Sequence, residues 1–296
     1  FYVPSWKRSP IPTREPEEAT LPLNWLFFVD DKGFGEGLVT RLKQKENNDR
    51  ITMVRWGAEF ACPGNGEYIV NPEQAEDYQT LIAELKKQDS IPQQVVHLWN
   101  VNRADKNGPG LEWDEGCEDR GFYSLIFLAQ ALGNQGIEDN IRVTVVTNNM
   151  QEVSGDELLC AQKATVLGPV MVIPTEYANI RCTSVDVVLP DPGTKKENKL
   201  LEQLLVELRR DTPDKVIAYR NNYRWVQTYE PLPLEKPGEK LPPFKGQGSL
   251  PGQRWSWRYR IGGSRAPGPE CKGAVNPHRA FGTATAGPVA PIPGKP

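Results

Sequence analysis

Histidine is almost absent from this sequence, with two residues, His97 and His278, among 296. Cysteine is sparse too: five residues, at 62, 117, 160, 182 and 271, an odd number without a CxxC pair. A zinc centre draws four ligands from these two residue types, often paired at short spacing, so no metal site is expected. The thiols read instead as small apolar or loop residues of a protein kept in a reducing cytoplasm. Long hydrophobic runs are missing as well, and no stretch approaches the length that spans a bilayer. The first residues, FYVPSWKRSP, contain neither an initiator methionine nor the apolar core of a signal peptide, and they read as the start of a piece of a longer polypeptide.

What is present is a soluble composition, 38% hydrophobic and 25% charged, with unusually many Gly (26) and Pro (27). The net charge of −3 averages two different regions. Residues 245–296 hold eight Lys and Arg against the single acid Glu270, which leaves 27 basic and 37 acidic side chains, or −10, in residues 1–244. An acidic body argues against nucleic acid as its main partner. The basic end, with RWSWRYRIGGSR at 254–265, interleaves rings that could stack on bases with arginines that could hold phosphates. A Rossmann-like binding module with a nucleic-acid-contacting arm is therefore one alternative to be kept.

Along residues 1–230, compact apolar runs alternate with amphipathic ones. NWLFFVD (24–30), ITMVRW (51–56), QVVHLW (94–99), IRVTVVTNN (141–149) and RCTSVDVVLP (181–190) read as strands. LVTRLKQK, EDYQTLIAELKKQ (76–88), FYSLIFLAQALG (122–133), the ELLCAQKATVLGPVMVIP stretch and ENKLLEQLLVELRR (197–210) read as the intervening helices. VIAYRNN and YRWVQTYEP suit a closing hairpin. Strands separated by helices of this length imply right-handed crossovers, a mostly parallel sheet flanked by helices, and hence a truncated Rossmann-like α/β fold. Residues 231–245 form a proline-punctuated linker, and 246–296, with ten Gly and eight Pro and no sustained period, read as a disordered tail.

FFVDDKGFGEGL places Gly33, Gly35 and Gly37 between a strand and a helix, where a dinucleotide-binding GxGxxG would sit. The third glycine arrives one residue early, and Asp30 and Asp31 put negative charge where a pyrophosphate would lie. A tight turn opening a helix, binding no cofactor, is the expectation; a small NAD(P) enzyme using Gly33, Gly35 and Gly37 is the competing one. The acidic stretch LEWDEGCEDR (111–120) reads as a solvated loop, and His97, inside an apolar strand, as a satisfied buried or half-buried side chain. The Tyr-x-x-x-Lys and Ser constellation of hydride-transfer enzymes is not arranged anywhere in 1–244, so no catalytic residue is nominated.

FYVPSWKR, VVHLW, FYSLIFLAQALG, VTVVTNNMQEVSGDE, RWVQTYEPLPL and above all QKATVLGPVMVIPTEYANIRCTSVDVV resemble the structural subdomain of modular polyketide synthase ketoreductases. The resemblance covers about residues 1–240. It implies a truncated short-chain-dehydrogenase-like Rossmann fold that binds no cofactor itself and supports a following catalytic subdomain. In the parent enzyme that subdomain carries NADPH and the Lys, Ser, Tyr and Asn that reduce a β-ketoacyl chain on the phosphopantetheine arm of an acyl carrier protein. It is missing here, so this chain is expected to be inactive, and the surface it would cover is expected to be apolar and prone to aggregation or adventitious dimers.

The tail then acquires a different meaning. Trp255 and Trp257 are each encoded only by TGG, so reading one base later forces a glycine at each. The codons around them permit YLVSGGAGGIGL, and those of Glu270 through Phe281 permit NVKAQLTLTGRS. These resemble the NADPH loop and the second strand of the missing catalytic subdomain, in one register. The expectation is a frameshift between Leu241 and Gln247, which makes 246–296 out-of-frame translation.

Overall fold

A computed structural model describes residues 1–10, 22–44, 48–103 and 115–233. These lie in one compact unit, Phe1–Glu235. The Pro-rich linker beyond residue 233, the 246–296 tail with Cys271 and His278, and residues 111–114 of the acidic stretch fall outside the described residues.

Ten strands form one sheet in the order β1-β10-β9-β8-β7-β6-β2-β3-β5-β4. They are β1 (Tyr2–Arg8), β2 (Asn24–Phe28), β3 (Arg50–Trp56), β4 (Ala61–Gly64), β5 (Glu67–Val70), β6 (Gln94–His97), β7 (Ile141–Asn148), β8 (Ile180–Val187), β9 (Val216–Arg220) and β10 (Tyr223–Pro231). The helices are α1 (Phe34–Lys43), α2 (Ala75–Lys87), α3 (Ser124–Asn134), α4 (Leu167–Glu176) and α5 (Lys195–Leu208). β3, β2, β6, β7, β8 and β9 pair in parallel, as the alternation of apolar and amphipathic runs implies.

Because helices cover both faces, β2 at the centre of the sheet is apolar on both sides from Trp25 to Phe28 rather than alternating. β2 shows this directly. Leu26 and Phe28 enter one core with α2, α3 and α4, whereas Trp25 and Phe27 enter the other with α1 and α5. α3 buries Leu125, Leu128, Ala129, Ala131 and Leu132, which is why its sequence is nearly all apolar. α5 reads as polar but presents Leu200, Leu201, Leu204, Leu205 and Leu208 along one stripe.

Two features that the sequence reading did not foresee concern the topology of the sheet. A hairpin, β4–β5, was not anticipated; it turns on Asn65 and Gly66, both at positive φ (55° and 75°), between the paired Gly64 and Glu67. The other concerns handedness. From β6 to β9 each crossover steps in the same direction across the sheet. α3 and α4 stay on one face, yet α5, which links β8 to β9, packs on the opposite one. Its crossover therefore has the hand opposite to the other four, against the strong right-handed preference. The closing hairpin β9–β10 forms as expected. Asn221 and Asn222, at φ 49° and 69°, make the two-residue turn, and β1 returns from the start of the chain to pair antiparallel with β10.

Candidate functional site at the carboxyl ends of the strands

In open α/β sheets, ligands bind outside the carboxyl ends of the strands, where the strand order reverses. Here that point lies between β2 and β6. The glycine turn follows β2. Gly33 takes φ 84°, which an L side chain resists. A Cβ on Gly35 would come within 3.1 Å of Asp30 Oδ1, and one on Gly37 within 3.3 Å of Leu201 on α5. The three glycines thus provide turn, close approach and helix packing, the roles a dinucleotide loop assigns to them.

The anion at this helix N-terminus is the protein's own. Asp30 is buried (1% exposed). Its Oδ2 accepts from the amides of Lys32 (3.0 Å) and Phe34 (3.1 Å), and its Oδ1 from Gly35 (2.5 Å). A helix N-terminus attracts negative charge through these unpaired amides. A pyrophosphate would need the same donors and would meet a fixed carboxylate, so the residues present do not fit one. Asp31 stays at the surface beside Lys32.

Beyond β6 and β7 sits a buried cation that sequence reasoning missed. Lys163, 1% exposed, donates to Asn102 Oδ1 (2.6 Å), Asn148 Oδ1 (2.7 Å) and the Asn148 carbonyl (3.0 Å). It ties the ends of two neighbouring strands together. A lysine at the head of the apolar ATVLGPVMVIP run was its only signal in the sequence. Farther along the same edge, Arg220 reaches Asp186 (2.6 Å) and Glu157 (2.9 Å) in a buried network. Asp186 also accepts from Thr147 Oγ1 and the amides of Met150 and Gln151. Burial pushes the Asp186 carboxyl up, against the pull of those donors and of Arg220. Burial also raises Glu157, but the Ser154 amide and hydroxyl, the Gly155 amide and Arg220 outweigh it and hold its carboxyl at about 2. The loop after β7 is thereby clamped to β8 and β9.

A groove of about 570 Å³ opens beside this clamp, lined among others by Ser154, Asp156, Leu158, Val188, Lys196 and Asn222. Ser154 Oγ contacts Asp156 and Glu157 rather than a histidine. His97 lies elsewhere, in the core. Its Nε2 lies 2.7 Å from Ser124 Oγ, which is also 2.8 Å from the Arg120 carbonyl; both bonds form together when Nε2 carries the proton and Ser124 donates to that carbonyl. Its Nδ1 has no hydrogen-bond partner, so the side chain is buried as expected but only half satisfied. Burial lowers its pKa to about 3 and keeps it neutral. Among the described residues, no three His, Cys, Asp or Glu side chains converge as metal ligands, and no helix is long and apolar enough to cross a membrane.

Several solved structures share this arrangement. The chain superposes on an adenylation, ketoreductase and pseudo-Asub multidomain structure of a keto acid-selecting NRPS module, with a TM-score of 0.66 and 22% identity over 78% of this chain and 18% of that one. An N-terminal ketoreductase from the macrolactin assembly line gives 0.62 at 17% identity, over 81% of this chain and 46% of that one. An A1-type ketoreductase gives 0.52 at 18%, over 82% and 44%. This chain spans less than half the length of each of these structures, and at such identities the likeness is one of fold. No curated protein matches the sequence. A family model described as beta-ketoacyl synthase-like, N-terminal, matches residues 28–207, more than half of the chain. By that match, and in a fold shared with ketoreductase subdomains, the chain belongs to the beta-ketoacyl synthase-like N-terminal family.

Proposed function

We propose that this chain is the non-catalytic structural half of a polyketide synthase ketoreductase. The observation that carries the reading is the glycine turn after β2, which keeps the shape of a dinucleotide site while Asp30 occupies its amides. Such a turn can hold helix to sheet without holding a cofactor. The remaining buried polar groups fit the same role, since Lys163 and Arg220 fasten loops to strands. The lengths agree as well, because a chain spanning 44–46% of two ketoreductases leaves room for a second subdomain.

In this reading residues 1–230 are the scaffold, 231–245 the linker, and 246–296 out-of-frame translation of the catalytic half. The parent, a cytoplasmic enzyme, would bind NADPH in that half and reduce a β-ketoacyl group delivered by an acyl carrier protein; this chain alone would be inactive. The test is the DNA from codon 235 past codon 296. The expected result is a reading frame, shifted by one base, that encodes a glycine-rich loop followed by an α/β unit. Codons incompatible with that loop overturn the proposal.

A further inference from the structure

A parallel sheet covered by helices on both faces is apolar through its centre, yet three central strands turn polar at their amino ends. On β6, Val96 packs in the core with α1 and α5, and strand alternation puts Gln94 on the same face. Val146 on β7 and Val185 on β8 enter that core too, so Arg142, Thr144, Arg181 and Thr183 share their face. The register sets Gln94, Arg142 and Arg181 in one row across the sheet, and Thr144 beside Thr183 in the row two residues on. With Arg210, just past the end of α5, these side chains line a pocket at the amino ends of the strands.

Arg142 and Arg181 are direct partners on neighbouring strands, and like charges in that position repel. Burial pushes the Arg142 guanidinium below the ordinary arginine value; Asp211 opposes that shift and the Arg181 charge adds to it. The two carboxylates that line the pocket relieve little of this. Glu207 is taken up by other groups: its Oε2 accepts from Tyr219 Oη (2.7 Å) and Arg224 Nε (2.7 Å), and its Oε1 from Arg224 Nη2 (2.9 Å). Asp211 stands 3.2 Å from Arg181, but the two side chains are 67% and 71% exposed, and ion pairs at the surface are weak. Three arginines are thus gathered on a body in which acids outnumber bases, 37 to 27 over residues 1–244.

The end of α5 accounts for part of the cluster. Arg142 Nη1 donates to the Arg210 carbonyl (2.6 Å), and a cation suits the negative end of a helix. That bond uses one of the five N–H donors of the guanidinium. It gives no reason for Arg181, which reaches Asp211 instead, or for the paired threonines. A bound anion gives a reason for all of them. A guanidinium is a planar fork that matches two oxygens of a carboxylate or a phosphate. Two forks and two hydroxyls offer more donors than the two oxygens of a carboxylate can take, whereas a tetrahedral phosphate has oxygens enough.

We propose that this pocket binds a phosphate group, either inorganic phosphate or the terminal group of a small phosphate monoester. Arg142 and Arg181 hold its charge, and the hydroxyls of Thr144 and Thr183 donate to its remaining oxygens. The site lies at the opposite end of the strands from the glycine turn and does not depend on the ketoreductase-half reading.

The test titrates the full chain with inorganic phosphate by calorimetry at fixed ionic strength. Saturable one-to-one binding is expected. Arg181→Gln, a change at an exposed side chain, should weaken it about tenfold, the loss of one hydrogen-bonded charge. Thr144→Val with Thr183→Val, which keeps both arginines, should weaken it by a similar factor. Lys196→Gln removes a cation from the other end of α5 and should change it less than about twofold. Thermal unfolding without phosphate shows that each variant folds; where the threonine pair does not, Arg181→Gln decides alone. No saturable binding overturns the proposal. Equal weakening by Arg181→Gln and Lys196→Gln overturns it too, because only net charge then matters and the phosphate is an adventitious ion only. Binding lost in Lys196→Gln alone moves the anion to the start of α5 and is equally fatal. Glycerol 3-phosphate, titrated alongside, identifies the source: tighter binding than inorganic phosphate supports the site as one for a monoester, and weaker binding supports it as one for the free ion.

Discussion

Asp30 decides what the glycine turn can do. Its carboxylate satisfies three amides that would otherwise be unpaired at the start of α1. Asp30→Ala should cost about 2 kcal/mol, the loss of a helix cap with buried donors left bare. Asp30→Asn, which keeps an acceptor, should cost clearly less. Urea unfolding of the two variants checks the order. His97 sets an acid limit on stability. Its pKa is about 3 in the fold and near the ordinary value of 6.5 once unfolded, so protons prefer the unfolded chain. Its contribution is complete above pH 6.5 and declines as the pH falls from there toward 3, by about 1.4 kcal/mol per pH unit. Glu157 adds a second loss, beginning lower, as the pH drops below its ordinary 4.5 toward 2. Stability measured against pH should therefore fall more gently for His97→Asn than for the unmodified chain between pH 6.5 and 5. Parallel curves would show that His97 is not the group responsible.

At the scale of elements, the segment before α3 is tightly fitted around Gly121. Asp119–Tyr123 is a single π-helical turn, and such turns depart from the regular helix only under local constraint. A Cβ on Gly121 would stand 2.1 Å from Asn100 Nδ2 and 3.0 Å from Val166 Cγ1. Gly121→Ala should accordingly destabilise the protein by about 2 kcal/mol or more, although alanine favours helix everywhere else. Thermal unfolding decides it, and a variant as stable as the parent would mean that Asn100 moves aside freely. The same crowding explains what the sequence reading could and could not see. FYSLIFLAQALG announces a buried helix by its composition. The π-turn ahead of it holds Gly121 close against Asn100 and Val166, residues about 20 and 45 positions away, and no local pattern marks it. The β4–β5 hairpin was readable in principle, because Asn65–Gly66 carries the strongest short turn signal, but its strands are too short to show a period.

Across the whole molecule, buried charges fasten separate segments together. Arg220 with Asp186 and Glu157, Arg224 with Glu207 and Asp214, and Lys163 with Asn102 and Asn148 each join separate elements or loops. NADPH added to the full chain should show no saturable change in fluorescence, because Asp30 already occupies the turn. A saturable response in the micromolar range, abolished by Gly35→Val, would reinstate the nucleotide site at Gly33, Gly35 and Gly37.

The sequence by itself determined the parallel α/β core and the boundaries of most elements. Apolar strands buried on both faces, helices with one apolar stripe and paired asparagines in a turn are local patterns that leave local marks. It also carried the missing and surplus charges: the odd glycine spacing, the two aspartates beside it and the basic tail. Tertiary structure decided the rest. Asp30 became a cap, rather than only a repulsive charge, once the turn folded its carboxylate onto three amides. α5 went to the opposite face because its leucines pack against α1, where Gly37 leaves room for Leu201. β1 became a strand only through β10, more than two hundred residues later, since pairing between distant segments leaves no period in either one.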